Sequence, residues 1–354
     1  MAPELRADSA SARYGQPLVS VVVVNWNGVV FVGECVASLL DQTYPNLEII
    51  VVDNGSTDGS VDLVRREFGH RVTVLSHPTN VGFAGGNNLG IRAAKGAWIA
   101  LLNNDAVADP RWVEALMTAA GRDPGIGMCA SKVYVWGQAG VLDSAGLLLS
   151  ADGIGRGRGR LEHDREEFDH EEEALLPSGC AALYRRAMLD HVGLFDEDFF
   201  AYCEDSDLGL RGRLAGWRCR YVPTAVVHHR YSGSTSPYSA FKAFQVERNR
   251  IWVVTKCYPP GLAVRSLVFT AVRYATQAYG AVAGRGAASR LAGSASPWAV
   301  AAIVVRAWGA ALARLPEMWR RRRAIDAQRV VSRREVTRWL RTHRLGVREL
   351  ALKD

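Results

Sequence analysis

The sequence is short of several features that would place it in a familiar class of protein. Its six cysteines form no Cys-x-x-Cys pair, which argues against a zinc knuckle or a disulfide framework and favours a reducing compartment. The glycine-rich segment 80–88 has neither the dinucleotide-loop nor the Walker A spacing, so a dehydrogenase or P-loop protein is disfavoured. Long apolar runs are also missing. The uncharged stretch 291–305 is 15 residues long and contains Gly293 and Pro297, whereas a membrane span needs about 20 residues.

Acidic residues are absent from a long C-terminal part of the chain. None occurs between Arg248 and Pro316, where Lys and Arg interrupt apolar stretches that also contain tryptophans. From 314 to 354, 13 Lys and Arg face 5 Asp and Glu, so this segment alone exceeds the formal net charge of +7. Such helices are typical of interfacial, monotopic attachment, and anionic lipid attracts clustered basic residues at about 1 kcal/mol each. We therefore expect an anionic membrane surface as a partner; packing on the main domain or in a homodimer is the alternative.

Length and composition indicate a domain with an appendage. Single cores stop growing at roughly 250–300 residues, and this chain has 354. With 48% hydrophobic and 22% charged residues, it is neither disordered nor a bundle of membrane spans. We predict a flexible N-terminal arm at 1–17 that is not a signal peptide and an α/β catalytic domain at 18–250. Apolar or amphipathic interfacial helices at 251–315 and a basic helical tail at 316–354 follow.

Residues 18–130 alternate apolar runs of strand length with segments long enough for helices. The predicted strands 19–24, 47–52, 72–75 and 98–102 are almost continuously apolar, which is typical of buried parallel strands. The predicted helices 31–41, 59–68 and 85–94 lie between them. This order predicts a doubly wound parallel sheet that binds its ligand at the carboxyl edge of the strands. Further on we predict a surface loop across 153–173, helices at 183–192 and 208–215, and a strand at 219–228.

Polar clusters follow the predicted strands where they end. Asn25, Asp53 and the run Asn103-Asn104-Asp105 come after the first, second and fourth strands, which predicts one polar ligand site on the rim. Asp105 with Asn103 offers oxygen ligands that suit Mg²⁺ or Mn²⁺, and a helix cap is the alternative role of Asp105. Asp53 is suited to hydrogen bonds with a nucleobase or ribose, although turn formation alone also explains it. Asn25 and Asn104 join Asp53 as substrate-binding candidates.

The segment 80–88 leads into a predicted helix. Its glycines would let backbone N–H groups approach a diphosphate at the positive end of that helix. Asn80, Gly82 and Asn87 are therefore further substrate-binding candidates.

Carboxylates are densest at 199–207, where Glu204, Asp205 and Asp207 lie among aromatic residues. Partial burial raises the pKa of a carboxylate and suits one member of such a group for general-base catalysis. Asp205 and Glu204 are the catalytic candidates, and the residues alone leave open which carboxylate is the base. Arg211 lies four residues after Asp207, a spacing that predicts an ion pair on one helix face, and Arg211 is also a substrate-binding candidate.

Taken together and in order, five motifs resemble a family 2 glycosyltransferase of the GT-A fold. They are Val-Asp53-Asn-Gly-Ser-Thr-Asp58, Asn80-Val-Gly-Phe-Ala-Gly-Gly-Asn87, Leu-Leu-Asn103-Asn-Asp105, Phe195-Asp196-Glu-Asp-Phe-Phe and Glu204-Asp205-Ser-Asp207-Leu. The similarity runs from about 18 to about 250 and is strongest to the rhamnosyltransferase-like branch that builds bacterial cell-surface glycans. It implies a GT-A fold with a doubly wound mixed sheet, followed here by the C-terminal helices.

The resemblance also implies roles for individual residues. Asp53 matches the aspartate that contacts the nucleoside, Asp105 the metal-binding second aspartate of the D-x-D motif, and Asp205 the catalytic base. Asn103 stands where the D-x-D motif often has its first aspartate. His228 is the candidate for a histidine that some relatives use as a metal ligand; alternatively, His228 and His229 are a core and a surface histidine.

Gly179 and Cys180 fall where the family lines the pocket for the donor sugar and the acceptor. We expect Cys180 to pack there rather than to act as a nucleophile, because no base is implied beside it.

These residues imply an inverting transfer. Asp205 would deprotonate the acceptor hydroxyl as it attacks the anomeric carbon, and a metal ion at Asp105, with His228, would stabilise the leaving nucleotide diphosphate. The expected donor is a dTDP- or UDP-linked hexose or deoxyhexose, with rhamnose favoured. The expected acceptor is a lipid-linked glycan at the cytoplasmic face of the cell membrane.

Three other classes of protein fit the sequence less well. A sugar-phosphate nucleotidyltransferase needs an Arg-containing glycine-rich loop near its start, where this chain has Asn25-Trp26-Asn27-Gly28. A processive polysaccharide synthase needs membrane spans and a Gln-x-x-Arg-Trp motif. A non-enzymatic nucleic-acid-binding protein would use the arginines at 320–323, and we expect no nucleic acid partner.

Overall fold

A computed structural model describes residues 15–230, 239–284 and 296–352, so most of the predicted N-terminal arm lies outside the described residues. The strands are β1 (Val19–Asn25), β2 (Leu47–Asn54), β3 (Thr73–His77), β4 (Trp98–Leu102), β5 (Ala106–Ala108), β6 (Ile126–Val135), β7 (Leu142–Ala145), β8 (Leu147–Ser150), β9 (Gly155–Gly157), β10 (Glu172–Ala174), β11 (Ala181–Arg185), β12 (Arg218–His229) and β13 (Arg344–Leu345). The helices are α1 (Val32–Leu40), α2 (Ser60–Phe68), α3 (Gly82–Ala93), α4 (Trp112–Gly121), α5 (Arg186–Val192), α6 (Glu204–Leu214), α7 (Ala240–Cys257), α8 (Pro260–Val282), α9 (Pro297–Ala313), α10 (Leu315–Gln328), α11 (Arg333–Thr342) and α12 (Val347–Leu352).

A mixed sheet carries the fold. Its strand order is β10-β12-β6-β11-β4-β1-β2-β3, with β5 beside β12 and β7 beside β6. β1 pairs in parallel with β2 and β4, and β2 pairs in parallel with β3, because helices return the chain across the sheet between these strands. β11 runs antiparallel between β4 and β6. The predicted doubly wound mixed sheet is confirmed, and a small sheet of β13, β8 and β9 lies beside it.

Apolar packing on both faces explains why the central strands are continuously apolar. Val21 and Val23 of β1 belong to a core cluster that includes Trp112 of α4, whereas Val22 belongs to a second cluster with Ile91 of α3. Successive residues of a strand point to opposite faces, so a strand covered on both sides needs apolar residues at every position.

The structure corrects three predicted elements. The predicted helix 183–192 begins as the strand β11, because Leu183 and Tyr184 are buried in different core clusters, and a short apolar run does not distinguish such a strand from a helix. The predicted surface loop 153–173 contains β9 and the start of β10, with Phe168 buried. The helix predicted at 208–215 begins at Glu204, so the carboxylates of the dense cluster lie in its first turn.

The C-terminal helices pack on the catalytic part of the chain. α9 and α10 pack on α7, and α12 packs on α8. Leu210 of α6, Trp252 of α7 and Met318 of α10 share one buried core cluster. α7 runs continuously across the predicted boundary at 250, so no break in structure marks it. Among the described helices, none is by itself long and apolar enough to cross a membrane, although α9 and α10, bent by 57°, meet that criterion as a pair.

Candidate active site

A cavity of about 1530 Å³ opens where β1, β2 and β4 end. Its wall contains most of the residues that the sequence singled out: Asn80, Gly82, Asn103, Asn104, Asp105, Gly179, Cys180, Glu204 and Asp205. Two residues that the sequence did not single out, Asp143 and His229, also line it. The carboxyl edge of the sheet is therefore the candidate active site.

His229 lies at the centre of the polar wall. It follows Ala225 and Val227 on the buried face of β12, because alternate residues of a strand share a face. Its Nε2 is 3.2 Å from Oδ1 of Asp105, and its Nδ1 is 2.7 Å from Oδ2 of Asp143. Burial opposes the ionisation of Asp143, but the hydrogen bond to His229 brings the pKa of that carboxyl below its ordinary value. An ionised carboxylate only accepts hydrogen bonds, so Nδ1 donates to it and Nε2 is left toward Asp105.

The structure assigns the neighbouring His228 to the other face of the strand. Its side chain is 42% exposed, lies 3.5 Å from Asp109 and stacks on the ring of Tyr134. It does not line the cavity. Of the two histidines it is His229 that reaches Asp105, and the metal role of His228 stays a prediction without support from this geometry.

Asp105, Asn103 and His229 form a donor set that suits Mg²⁺ or Mn²⁺. Nδ2 of Asn103 lies 3.5 Å from Nε2 of His229, so all three side chains converge. The hydrogen bond from Nδ1 of His229 to Asp143 is the kind of outer contact that orients a metal-ligating histidine. Within the described ranges no three His, Cys, Asp or Glu side chains make a complete metal site. A bound ion would take its remaining ligands from substrate phosphates and water, as Mg²⁺ commonly does.

Asp205 is held at the start of α6 by backbone amides. Its Oδ2 accepts a hydrogen bond from the N–H of Gly179 at 3.1 Å, and its Oδ1 accepts one from the N–H of Ser206 at 2.6 Å. Burial against the protein nevertheless raises the pKa of Asp205 above its ordinary value. The side chain is half-buried and lines the cavity, so a carboxylate of raised basicity faces the space where a substrate would bind.

The loop before α6 is strained. Phe200, Tyr202 and Cys203 adopt positive φ angles of 64°, 71° and 66°. Each such residue costs about 1–2 kcal/mol relative to an ordinary conformation, and residues of this kind cluster at functional sites. This loop conformation places Glu204 and Asp205 in the first turn of α6, on the cavity wall.

Glu204 is more deeply buried than its neighbour Asp205. Its Oε2 has no hydrogen-bond partner among the residues of the described part. Burial, with the adjacent charge of Asp205, raises the pKa of Glu204 well above its ordinary value. Two adjacent carboxyls with raised pKa values are typical of acid–base sites.

Arg211 lies beneath the site. Its Nε donates to Asp207 at 2.8 Å, which confirms the predicted ion pair, and its other nitrogens donate to the carbonyl oxygens of Val192 and Leu194, both at 2.6 Å. The guanidinium is buried and does not line the cavity. The substrate-binding role predicted for Arg211 is therefore wrong, because its donors hold the turn after α5 to α6.

Two asparagines with predicted substrate roles also turn away from the cavity. Nδ2 of Asn25 donates to Ser60 at 2.8 Å, and its Oδ1 accepts from Asn104 at 2.9 Å. Nδ2 of Asn87 donates to the carbonyl oxygen of Phe83 at 2.9 Å. Both asparagines are 1% exposed and hydrogen-bonded within the protein, Asn87 inside its own helix, and their substrate roles stay predictions.

The glycines of segment 80–88 serve packing. A Cβ on Gly86 would lie 2.7 Å from Val24, so the glycine lets α3 approach β1 closely. The N–H groups at the start of this helix already donate within the protein: that of Val81 to Asn54, that of Gly82 to Asn80 and that of Ala84 to Phe200. Asn80 and Gly82 line the cavity, and the diphosphate contact at this helix stays a prediction.

The remaining predicted residues occupy distinct positions. Asp53 is the penultimate residue of β2 and is buried, and its Oδ1 accepts a hydrogen bond from the N–H of Ser56 at 3.0 Å. It does not line the cavity, so its nucleoside role stays a prediction. Burial raises the pKa of Cys180, which keeps this cavity-lining thiol protonated and agrees with a packing role.

Sequence reasoning missed His229 and Asp143. The alternation along β12 was a usable signal for His229, because the buried Ala225 and Val227 precede it at alternate positions of the strand. Asp143 had no such local signal. It lies on β7, and only the pairing of β7 with β6 brings it to the edge of the sheet.

Residues 20–193 match the sequence profile of Glycosyl transferase family 2. Residues 20–193 are therefore similar to a family 2 glycosyltransferase domain, and the mixed sheet with its carboxylate-lined cavity agrees with the GT-A fold. The nucleotidyltransferase and nucleic-acid-binding alternatives are therefore set aside.

Two relatives and one solved structure place the chain within this class. It is 32% identical over 132 residues to an uncharacterised glycosyltransferase of Haemophilus influenzae, covering 36% of this chain and 41% of that protein. It is 29% identical over 240 residues to the N-acetylglucosaminyl-diphospho-decaprenol L-rhamnosyltransferase of Mycobacterium tuberculosis, covering 62% of this chain and 78% of that protein. The mannosyltransferase of Pyrobaculum calidifontis, in complex with GDP-Man and Mn²⁺, superposes with a TM-score of 0.51 at 20% identity, over 88% of this chain and 86% of that chain. This chain therefore spans about two fifths of the Haemophilus relative, and the structural likeness concerns the fold.

Proposed function

We propose that this chain is an inverting glycosyltransferase that transfers a hexose or deoxyhexose from a UDP- or dTDP-sugar to a lipid-linked glycan acceptor. One observation carries the proposal: a single cavity is lined both by the half-buried carboxylate of Asp205 and by Asp105 and His229, whose side chains lie 3.2 Å apart. The first can accept a proton, and the second can hold a divalent ion beside a diphosphate. Rhamnose is the favoured sugar, because the Mycobacterium relative is named for L-rhamnosyl transfer to a diphospho-decaprenol acceptor.

We assign Asp205 as the base that removes the proton from the acceptor hydroxyl. Its two backbone hydrogen bonds fix the carboxylate on the cavity wall, and burial makes it a stronger base than an ordinary aspartate. The raised pKa of Glu204 favours its neutral form beside Asp205. Asp205 therefore takes the proton of the attacking hydroxyl, and a single displacement at the anomeric carbon inverts its configuration.

Asp105, Asn103 and His229 are assigned to the donor diphosphate. When bound, Mg²⁺ or Mn²⁺ would neutralise the charge that develops on the leaving nucleotide. The protein's own part is orientation: Asp143 fixes the ring of His229, and the loop after β4 fixes Asp105. The Mn²⁺ in the complex of the Pyrobaculum mannosyltransferase supports a divalent cofactor in this fold.

The place of action is assigned to the cytoplasmic face of the cell membrane, with peripheral or monotopic attachment. Val264 and Val268 on α8 and Trp298 on α9 are 68%, 69% and 85% exposed, so these helices present apolar side chains outward. Part of the basic tail is used inside the fold, because Arg321 pairs with Asp196 and Asp198 and the buried Arg322 donates to two backbone carbonyls. Membrane attraction is therefore assigned to the apolar faces and the other, exposed arginines; a homodimer through these faces is the competing arrangement.

The function is tested with purified full-length chain, a panel of UDP-, dTDP- and GDP-sugars, and Mg²⁺ or Mn²⁺. We expect one donor to be turned over, and Asp205→Asn to keep donor binding while transfer falls about 100-fold or more, as for loss of a general base. Asp190→Asn, the same change at an exposed site on α5, is the matched control and should leave transfer unchanged. Near-normal transfer by Asp205→Asn would remove the base assignment.

A further inference from the structure

The cavity extends past the catalytic residues into an apolar slot formed by three C-terminal helices. The slot is lined by Val246 of α7, Ala278 and Ala281 of α8, and Val300, Ile303 and Val304 of α9. Ala278 and Ala281 recur at helical spacing on one face of α8, and Val300, Ile303 and Val304 do so on one face of α9. We call this part of the cavity the apolar slot.

Buried ion pairs fix the helices that form the slot. Arg273 of α8 lies 2.9 Å from Glu247 of α7 and 2.7 Å from Asp152, which follows β8. On the α9 side, Nε1 of Trp308 donates to the hydroxyl of Tyr274 at 2.9 Å. Elsewhere α9 packs on α7 and α8 packs on α12, so the apolar faces of α8 and α9 are left to line the slot. A slot held by such a network is a built feature rather than a loose gap.

Two cations line the cavity. Nζ of Lys242 lies 5.2 Å from the ring centroid of Tyr202, three residues before Asp205. Arg156 lies on β9, and its Nη1 donates to the carbonyl oxygen of Glu349 of α12 at 2.8 Å. Both cations line the same cavity as the apolar slot. The wall thus combines a base, positive charge and an apolar region.

This arrangement matches an amphiphile with a phosphate near its sugar. We infer that the apolar slot holds the hydrocarbon chain of the acceptor lipid, that Arg156 and Lys242 bind its phosphate linkage, and that its sugar hydroxyl lies at Asp205. The role of that hydroxyl rests on the proposed glycosyl transfer. A phosphate can form charge-assisted hydrogen bonds with the cations. An apolar chain lowers its free energy when it leaves water for a slot lined by valine, isoleucine and alanine.

The outward faces of the same helices support a lipid as the occupant. Val264, Val268 and Trp298 are strongly exposed on α8 and α9, so the helices that line the slot inside also present apolar side chains outside. A lipid leaving a membrane surface would therefore meet the slot directly. A water-soluble acceptor would leave the apolar walls in contact with water.

The test compares two probes on the full-length chain without any donor. Geranylgeranyl diphosphate carries both chain and phosphates, and inorganic diphosphate carries the phosphates alone. By isothermal titration we expect the first to bind at least tenfold more tightly. Ala281→Trp, which fills the slot, should bring the two affinities within threefold, whereas Ala275→Trp, the same change at an exposed position of α8 outside the cavity wall, should leave the difference intact.

A second variant and a charge variant keep the test decisive. If Ala281→Trp does not keep the wild-type unfolding midpoint, Val304→Glu places a charge on the opposite wall and should abolish the same difference. Lys242→Gln should weaken both probes, because it removes positive charge from the phosphate position. Equal binding of the two probes by the wild-type chain, or an unchanged difference in the folded slot variant, overturns the inference.

Failure of the proposed function is recognised separately. If no nucleotide sugar is turned over but geranylgeranyl diphosphate still binds with the expected preference, glycosyl transfer is refuted and the lipid slot stands. If a sugar is transferred with equal kcat/KM to acceptors with and without a hydrocarbon chain, transfer stands and the slot inference is refuted.

Discussion

Replacing each of two neighbouring histidines separates the structural assignment of the metal site from the assignment made on sequence alone. His229→Gln removes a ring whose Nε2 lies 3.2 Å from Asp105 and whose Nδ1 lies 2.7 Å from Asp143. His228→Gln makes the same change one residue earlier, on a side chain that is 42% exposed. Because strand residues alternate between faces, the two substitutions probe opposite sides of β12.

The expected magnitudes differ by more than tenfold. Loss of an outer contact to a metal ligand typically lowers metal affinity about 10–100-fold, so Asp143→Asn should fall in that range. Loss of the ligand itself should cost at least about 100-fold, which corresponds to about 2.7 kcal/mol. His228→Gln changes a surface residue and should alter the binding free energy by no more than about 0.5 kcal/mol.

The assay is titration with Mn²⁺ in the presence of UDP, followed by the electron paramagnetic resonance signal of the free ion. The thermal unfolding midpoint of each variant serves as the control for folding, since His229→Gln leaves two buried carboxylates without the ring between them. Equal loss of affinity in His228→Gln and His229→Gln would refute the argument from strand alternation. Unchanged affinity in His229→Gln would refute the metal assignment itself.

Three further predictions concern the backbone, the base and the tail. A Cβ at Gly82 would overlap a carbonyl oxygen at a φ of 78°, whereas at Gly59 it would meet nothing within 4 Å at a φ of 84°. Urea unfolding should therefore show a loss of at least about 2 kcal/mol for Gly82→Ala and about 1 kcal/mol for Gly59→Ala, and equal losses would contradict the clash. Because burial raises the pKa of Asp205 and a base acts when ionised, kcat/KM should fall as pH decreases through a value above the ordinary 3.8; an acid limb at or below 3.8 would contradict the assignment. Arg321→Ala should lower the unfolding free energy by about 1.5–3 kcal/mol, because it removes charged hydrogen bonds. The control Arg320→Ala, at a side chain that is 71% exposed, should change the unfolding free energy by no more than about 0.5 kcal/mol. Equal effects of the two substitutions would show that Arg321 is not part of the fold.

Much of the catalytic domain was predictable from local pattern. The fourth predicted strand, 98–102, coincides with β4, and the strands β1 and β2 differ from prediction only at their ends. Chain position directly after β4 also predicted that Asp105 lies at the edge of the sheet, where it lines the cavity, because the carboxyl ends of parallel strands meet at one edge. These features depend on residues that are close in sequence.

Other features depend on contacts between distant residues. Arg211 and Asn25 carry polar groups suited to a substrate, yet neighbouring carbonyl and hydroxyl groups take up their hydrogen bonds. The charge count of the tail did not reveal that Arg321 and Arg322 are used internally, since their partners lie before, within and directly after α7, far away in sequence.

The sequence by itself determined the mixed α/β sheet, the carboxylates at its edge and the likeness to family 2 glycosyltransferases, because strand-length apolar runs and ordered motifs are local properties of the chain. Only the tertiary structure decided that His229 rather than His228 faces Asp105, and that Asp143, which had no local signal, holds its ring. It also decided that the C-terminal helices share a core with α6 and extend the catalytic cavity into an apolar slot. The physical reason is the same in each case: strand pairing and helix packing set which side of a residue is buried and what it meets there.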